Sequence, residues 1–249
     1  MQNISHDIPF KRGVVQPTAC LKAGWELIKG QYWLFVGMST VGLLIGSFVP
    51  FGILLGPLMC GIYLSLFQTR RGQKVEFGNL FKGFDYFGES VIATLFHYIP
   101  MVIVIVPFYI VMYGGMFVVM ASGGGNEPNP SAFLGFFAVL VVFGILMALI
   151  LLVISVLFVC SYPLIVERKL SGMEAVKLSA RAGLANFWPL LGLLLLNGLL
   201  GFAGVLLCYV GLFLALPVTF AANAMAYEQM FGLGSGPGPR MPPPPPSFT

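Results

Sequence analysis

Charge is what this 249-residue chain has least of. Only 9% of its residues are Asp, Glu, Lys or Arg, against about 25% in an ordinary soluble domain, and the mean hydropathy is +0.92. A water-facing globular surface is excluded, and a helical membrane protein is what remains. Histidine is scarce: His6 and His97 are the two, so no His cluster for zinc or haem can be assembled. The four cysteines, Cys20, Cys60, Cys160 and Cys208, form no CxxC pair and have no His at zinc-finger spacing, which excludes a metal cage and a thioredoxin-like motif. They read as small apolar packing residues; Cys60 and Cys208 both fall toward the expected outer face, where an oxidising compartment would permit a disulfide.

Catalytic motifs are missing as well. There is no GxSxG elbow, HExxH, Walker loop or GxGxxG after a strand. The glycines at 123–125 sit beside Glu127 without the lysine of a phosphate cradle. The net charge of +4 does not make a nucleic-acid surface, because the basic residues are few and flank apolar runs. No cofactor, metal or nucleic-acid partner is expected.

What the chain has in abundance is uncharged apolar sequence. A spanning helix needs about 20 such residues to cross roughly 30 Å of hydrocarbon. From Tyr32 to Gln68 there is no charge, and Pro50, Phe51 and Gly52 interrupt the run, which predicts a hairpin of helices over 32–49 and 53–69. A second pair is predicted over 90–118 and 133–166, divided by a Gly/Pro-containing stretch at 122–130, and a third over 188–206 and 209–230. The expectation is an all-α bundle of six transmembrane helices in three hairpins. It is flanked by an N-terminal cytoplasmic tail (1–16) and a disordered Gly/Pro-rich cytoplasmic tail (231–249). The fourth span would be about 50 Å long if continuous, so Pro163, like Pro100 and Pro107 in the third, marks an expected kink. Lys11, Arg12, Lys22, Glu26 and Lys29 precede the first run and no cleavage site is convincing, so that span is expected to be retained.

The 13 Lys and Arg fix an orientation. Lys11, Arg12, Lys22 and Lys29 precede the first span; Arg70, Arg71, Lys74 and Lys82 lie between spans two and three. Arg168, Lys169, Lys177 and Arg181 lie between spans four and five, and Arg240 follows the sixth. None falls in the other three loops. By the positive-inside rule both termini and the two longer loops are expected in the cytoplasm.

Each expected hairpin is led by a charged, partly apolar segment, at 18–31, 77–89 and 170–187. These read as amphipathic helices at the cytoplasmic interface, or as loop helices packed on the bundle. Aligning Trp33 with Trp188 also superposes Lys22 on Lys177, Tyr32 on Phe187, Gly37 on Gly192 and Gly46 on Gly201. Gly52 to Pro57 resembles Gly211 to Pro217. Three parallel copies of a lead helix plus a hairpin are suggested, the middle one most diverged.

Few residues offer chemistry. His97, Asn197 and Asn223 are the candidate intramembrane polar site, since ionisable or strongly polar groups at depth are costly. His97 reads either as a proton-sensitive group facing the bundle or as a neutral imidazole bonded to a neighbouring helix. Glu26, Glu89 and Glu174 would be the acids of a surface enzyme site; as ordinary solvated partners of Lys and Arg they would contribute little. Arg70, Arg71, Lys74, Arg168 and Lys169 are candidate contacts to lipid headgroups, anionic ones above all. Trp25, Trp33 and Trp188 are candidate interface anchors. Pro242–Pro246 form a run suited to polyproline II docking on a protein partner, or a tail with none.

Three segments also carry a resemblance: Leu21 to Lys29, Gly61 to Leu64 followed by Arg71 to Phe84, and Ala175 to Arg181. They resemble uncharacterised bacterial six-helix inner-membrane proteins, and the membrane domain attached to some glycerophosphoryl diester phosphodiesterases. The resemblance covers about residues 15–230 and is strongest at 71–84. It implies a bacterial inner membrane and brings no catalytic residues, and the phosphodiesterase domain has no counterpart in these 249 residues. The expected function is non-enzymatic binding of lipid or a protein partner; the alternative is a transporter or lipid-translocating protein with a polar path near His97.

Overall fold

The computed structural model describes residues 8–48, 52–121, 130–207 and 210–233. Among these the regular structure is entirely helical. It comprises α1 (Pro17–Ile28), α2 (Tyr32–Phe48), α3 (Leu55–Arg70), α4 (Phe87–Ala121), α5 (Pro130–Phe158), α6 (Ser161–Arg168), α7 (Gly172–Ala185), α8 (Phe187–Leu206) and α9 (Val210–Phe231). Segments Lys29–Gln31 and Phe77–Tyr86 are 3-10 helical. Cys208, the partner in the disulfide that an oxidising compartment would permit, and the run Pro242–Pro246 lie outside the described residues; Cys60 is buried in α3.

Local chemistry sets the helix ends. Pro17 opens α1 at a position where its missing N–H costs nothing. Ser171 caps α7: its hydroxyl accepts from Glu174 N and donates to the Glu174 carboxylate, with Oγ 2.8 Å from Oε2, a variant of the S-x-x-E capping box. α9 stops at Gly232, whose φ of +70° lets its N–H close on the Glu228 carbonyl at 2.8 Å.

The expected fourth span is two helices. α5 ends at Phe158 and α6 begins at Ser161, because Pro163 has no N–H and its ring crowds the carbonyl four residues earlier, that of Val159. Ser179 of α7 mends the break: its hydroxyl donates to Leu157 O at 2.8 Å and accepts from Cys160 N at 3.2 Å. α4, by contrast, continues as one helix through Pro100 and Pro107.

Among the described residues five helical stretches are long and apolar enough to cross a membrane: Pro17–Phe48, Phe77–Ala121, Pro130–Arg168, Phe187–Leu206 and Val210–Phe231. The expected span at 53–69 forms the 16-residue helix α3, about 24 Å long, short of a full crossing by length. It is nonetheless central. Leu58, Ile62, Leu66 and Phe67 of α3 are fully buried, as are Leu164 and Ile165 of α6 and Ala221, Ala222, Ala224 and Tyr227 of α9. Tyr63 meets Phe220 edge-on, ring centroids 6.2 Å apart, and Phe67 meets Tyr227 at 5.5 Å. α4 and α5 pack along one another and leave Ile103, Ile110, Phe117, Leu134 and Ile145 exposed, an outer surface that only an apolar solvent would wet favourably.

Each charged leading segment packs on a helix from the preceding part of the chain, and the first closes onto the last: α1 on α9, Phe77–Tyr86 on α3, and α7 on α5 and α6. A glycine makes each contact. A methyl group built on Gly24 would lie 2.7 Å from Ala222 N, and one on Gly183 would lie 2.7 Å from Val156 O. One on Gly83 would run into the Pro57 carbonyl and the Gly61 backbone. The backbones themselves are in contact, which no larger residue allows. Residues 8–16, expected within a tail, are also tied down: Lys11 N donates to Met230 O (2.9 Å), Gly13 N to Asn186 Oδ1 (2.6 Å) and Gln16 N to Gln229 Oε1 (2.9 Å).

Gly24→Val is expected to destabilise by about 1–3 kcal/mol or more through overpacking, and Ser179→Ala by about 1–3 kcal/mol through the buried backbone groups it strands. Gly30→Ala, which meets nothing within 4 Å, should leave stability unchanged. Denaturant unfolding in detergent micelles measures all three.

Candidate functional site

The polar chemistry gathers where the C-terminal ends of α3, α6 and α9 meet. Arg70 at the end of α3 makes a two-pronged pair with Glu228 of α9, Nε to Oε2 and Nη2 to Oε1 both at 2.9 Å. Arg71 pairs with Glu167 of α6, whose side chain is only 2% exposed. Arg168, next along, donates from Nη2 to the Phe231 carbonyl at 2.7 Å. Cations placed at helix C-termini also oppose the partial negative charge of unsatisfied carbonyls there. Three of the five candidate headgroup contacts are thus held by partners within the protein. Lys74, 84% exposed, lies 3.4 Å from Glu76, and Lys169 adopts a left-handed φ of 52° as the residue that ends α6.

The intramembrane candidates divide between two places. Asn197 of α8 and Asn223 of α9 bond to each other, Nδ2 to Oδ1 at 3.0 Å, joining two adjacent helices as a polar pair in an apolar setting does. His97 belongs to α4 and lies against the Phe158 ring of α5, centroids 5.7 Å apart. One turn earlier the Thr94 hydroxyl meets that of Tyr162 at 3.1 Å. Asn197 and Asn223 thus join α8 to α9, and His97 joins α4 to α5.

The acids do not converge as an enzyme would need. Glu89 accepts from the Gly172 N–H at the start of α7, and Glu174 bonds to Ser171 at that same helix end, both favoured by the positive end of the helix dipole. Glu26 sits on α1 and pairs with Lys29. Among the described residues no three His, Cys, Asp or Glu come together in a way that would hold a metal ion. The capping role of Glu174 was legible in the spacing Ser171 to Glu174; that of Glu89, 83 positions from its partner, was not.

The tryptophans are strongly exposed, Trp33 at 74% and Trp188 at 77%, and Trp25 less so. Trp25 meets Tyr32 edge-on at 5.3 Å, and Tyr32 meets Trp33 at 5.6 Å. Beside this aromatic row lies a groove of about 660 Å³ between α1, α8 and α9. Thr18, Leu21, Lys22 and Trp25 line it from one face of α1, Leu196, Leu200 and Ala203 from α8, Leu207 from the turn after it, and Gly211, Leu214, Ala215 and Val218 from α9. Composition gave no sign of it, because it exists only once α1 has docked on α9. A methyl group built on Gly204 would lie 2.6 Å from the Gly211 carbonyl carbon, so α8 and α9 approach closely beside the groove.

No family model, curated protein or solved structure matches this chain.

Removing one half of a buried ion pair strands the other. Arg71→Ala is expected to destabilise by about 3–5 kcal/mol, whereas Arg70→Ala, from a pair in which the arginine is half exposed, should cost about 1 kcal/mol or less. Adding Glu167→Gln to Arg71→Ala should recover part of the loss. Denaturant titrations of the four proteins in one detergent decide it.

Proposed function

We propose that this chain is a six-span, non-catalytic membrane protein of the bacterial inner membrane that binds lipid, with both termini in the cytoplasm. The observation that carries the reading is the distribution of polar groups. The ion pairs gather at one end, where α3, α6 and α9 terminate, while the buried residues elsewhere among those described are apolar or carry hydroxyl and amide groups such as those of Ser65, Thr94, Ser161 and Asn197, with no charged residue among them. A protein that does chemistry or moves ions at depth keeps ionisable groups there; this one has spent its few charges on joining helix ends.

Three features support the finer architecture. α3 is short, yet its uncharged sequence from Leu55 to Gln68 and its place against α2, α6 and α9 make it the sixth span of the proposal. The basic ends of α3 and α6 meet the end of α9, as helices that all finish on the positive, cytoplasmic side should. The packing of α1 on α9, of Phe77–Tyr86 on α3 and of α7 on α5 and α6 is what three repeats closed into a ring would produce. In that ring α1, Phe77–Tyr86 and α7 are the cytoplasmic amphipathic leaders, each keyed by a glycine. The bacterial inner membrane rests on the sequence resemblance. A translocation path would have to link His97 with Asn197 and Asn223, and their separate helix contacts give it no support.

Reporter fusions test the topology. Green fluorescent protein fused after residues 75, 170 and 233 should fluoresce, and alkaline phosphatase fused within 122–129 should be active; phosphatase inserted near residue 50 should be active as well. Inactivity at 50 with activity at 126 would mean that α3 does not cross. Lipid binding is read separately, by native mass spectrometry of the protein purified in mild detergent: retained phospholipid is expected, and a bare protein under every lipid condition would overturn the functional reading.

A further inference from the structure

The groove between α1, α8 and α9 is formed by three stripes with helical spacing. Thr18, Leu21, Lys22 and Trp25 recur on one face of α1, and α8 and α9 each present an apolar stripe. Together the three enclose about 660 Å³, the size of a small-molecule site. From Leu196 to Ala203 the α8 wall runs about 10 Å. The α8 and α9 walls offer only aliphatic side chains and glycine, which suits an acyl chain.

The α1 wall supplies a different chemistry. Lys22 has no carboxylate within ion-pair distance among the described residues, and Glu26, one turn on, is taken by Lys29. Thr18 lies one turn before Lys22, and Trp25 and Tyr32 form an aromatic pair on the same side, the position such rings take at headgroup level. The Tyr32 hydroxyl is already committed to the Leu214 carbonyl at 2.7 Å, so Lys22 and Thr18 are the groups left to meet a headgroup. A lone ammonium beside a hydrocarbon groove complements a phosphate whose headgroup carries no second, positive charge.

We propose that this groove is a binding site for one anionic phospholipid, such as a phosphatidylglycerol, with its phosphate on Lys22 and Thr18 and one acyl chain along α8 and α9. It rests on the lipid-binding reading above and gives that reading a site and a headgroup class. Near a membrane surface one lysine is worth about 1 kcal/mol toward an anionic headgroup, which is about a fivefold preference over a zwitterionic one.

Native mass spectrometry of the full chain, titrated with phosphatidylglycerol or phosphatidylcholine of identical chains, tests it. The wild type should take its first phosphatidylglycerol about fivefold more readily than its first phosphatidylcholine. Lys22→Gln, an exposed position on α1, should reduce that ratio to about one, because phosphatidylglycerol loses more than phosphatidylcholine, whose own ammonium already offsets its phosphate. Ala203→Phe, which fills the groove, should weaken the first binding step for both lipids, and Leu207→Trp does the same should the former fail to fold. A preference that survives Lys22→Gln, or a first lipid indifferent to both groove-filling changes, overturns the site while lipid retention by the wild type keeps the broader function. A wild type that retains neither lipid sinks both. If Ala203→Phe instead abolishes a dimer mass without changing lipid binding, the groove belongs to a second copy and the proposal is wrong.

Discussion

The bundle depends on where its charges go. In hydrocarbon, an ion or an unpaired backbone group has no water to turn to, and the chain answers by placing its interhelical ion pairs at one end. There Arg70 reaches Glu228, Arg71 reaches Glu167 and Arg168 reaches the Phe231 carbonyl. These contacts connect the termini of α3, α6 and α9 to one another, so the position of each helix end is set by the other two. The ion pairs need not be strongly stabilising in themselves, since desolvation offsets much of their attraction. Their effect is on register: sliding any of the three helices by a turn would strand a half-buried or buried charge.

A second level of order follows from glycine. Gly24, Gly83 and Gly183 each let a leading segment lie backbone to backbone on a helix from elsewhere in the chain. The contact of α1 with α9 also brings residues 8–16 against Met230 and Gln229, so the first described residues and the last ordered turn of α9 secure one another. The same contact creates the groove beside Lys22. α4 and α5 join this network through α7, whose Gly183 meets Val156 of α5 and whose Gly172 meets Glu89 of α4, while their outward residues rely on an apolar surrounding.

Some of this was legible in the sequence for definite physical reasons. Pro163 announced a disruption because a proline cannot continue the hydrogen-bond ladder, although its place, two helices parted at 159–160 rather than one kinked span, depended on Ser179 arriving from α7. The helical runs were readable because about 20 apolar residues without charge have few other stable states. The headgroup role expected for Arg70, Arg71 and Arg168 could not be weighed from spacing, because their carboxylate and carbonyl partners lie 63 to 158 positions away. Asn197 and Asn223, 26 positions apart, bond to each other, and His97 has its own neighbour in Phe158.

By itself the sequence determined the class of solvent, the helical character and the asymmetry of charge, because each is a sum over local composition: apolar length, absence of ions, and the loops in which Lys and Arg occur. Tertiary structure decided which charges meet, which break in a helix is mended, and which three faces remain open beside Lys22. Those outcomes are relations between residues far apart in the chain. They are fixed only when glycine contacts and paired helix ends choose one packing among the many that an apolar sequence permits.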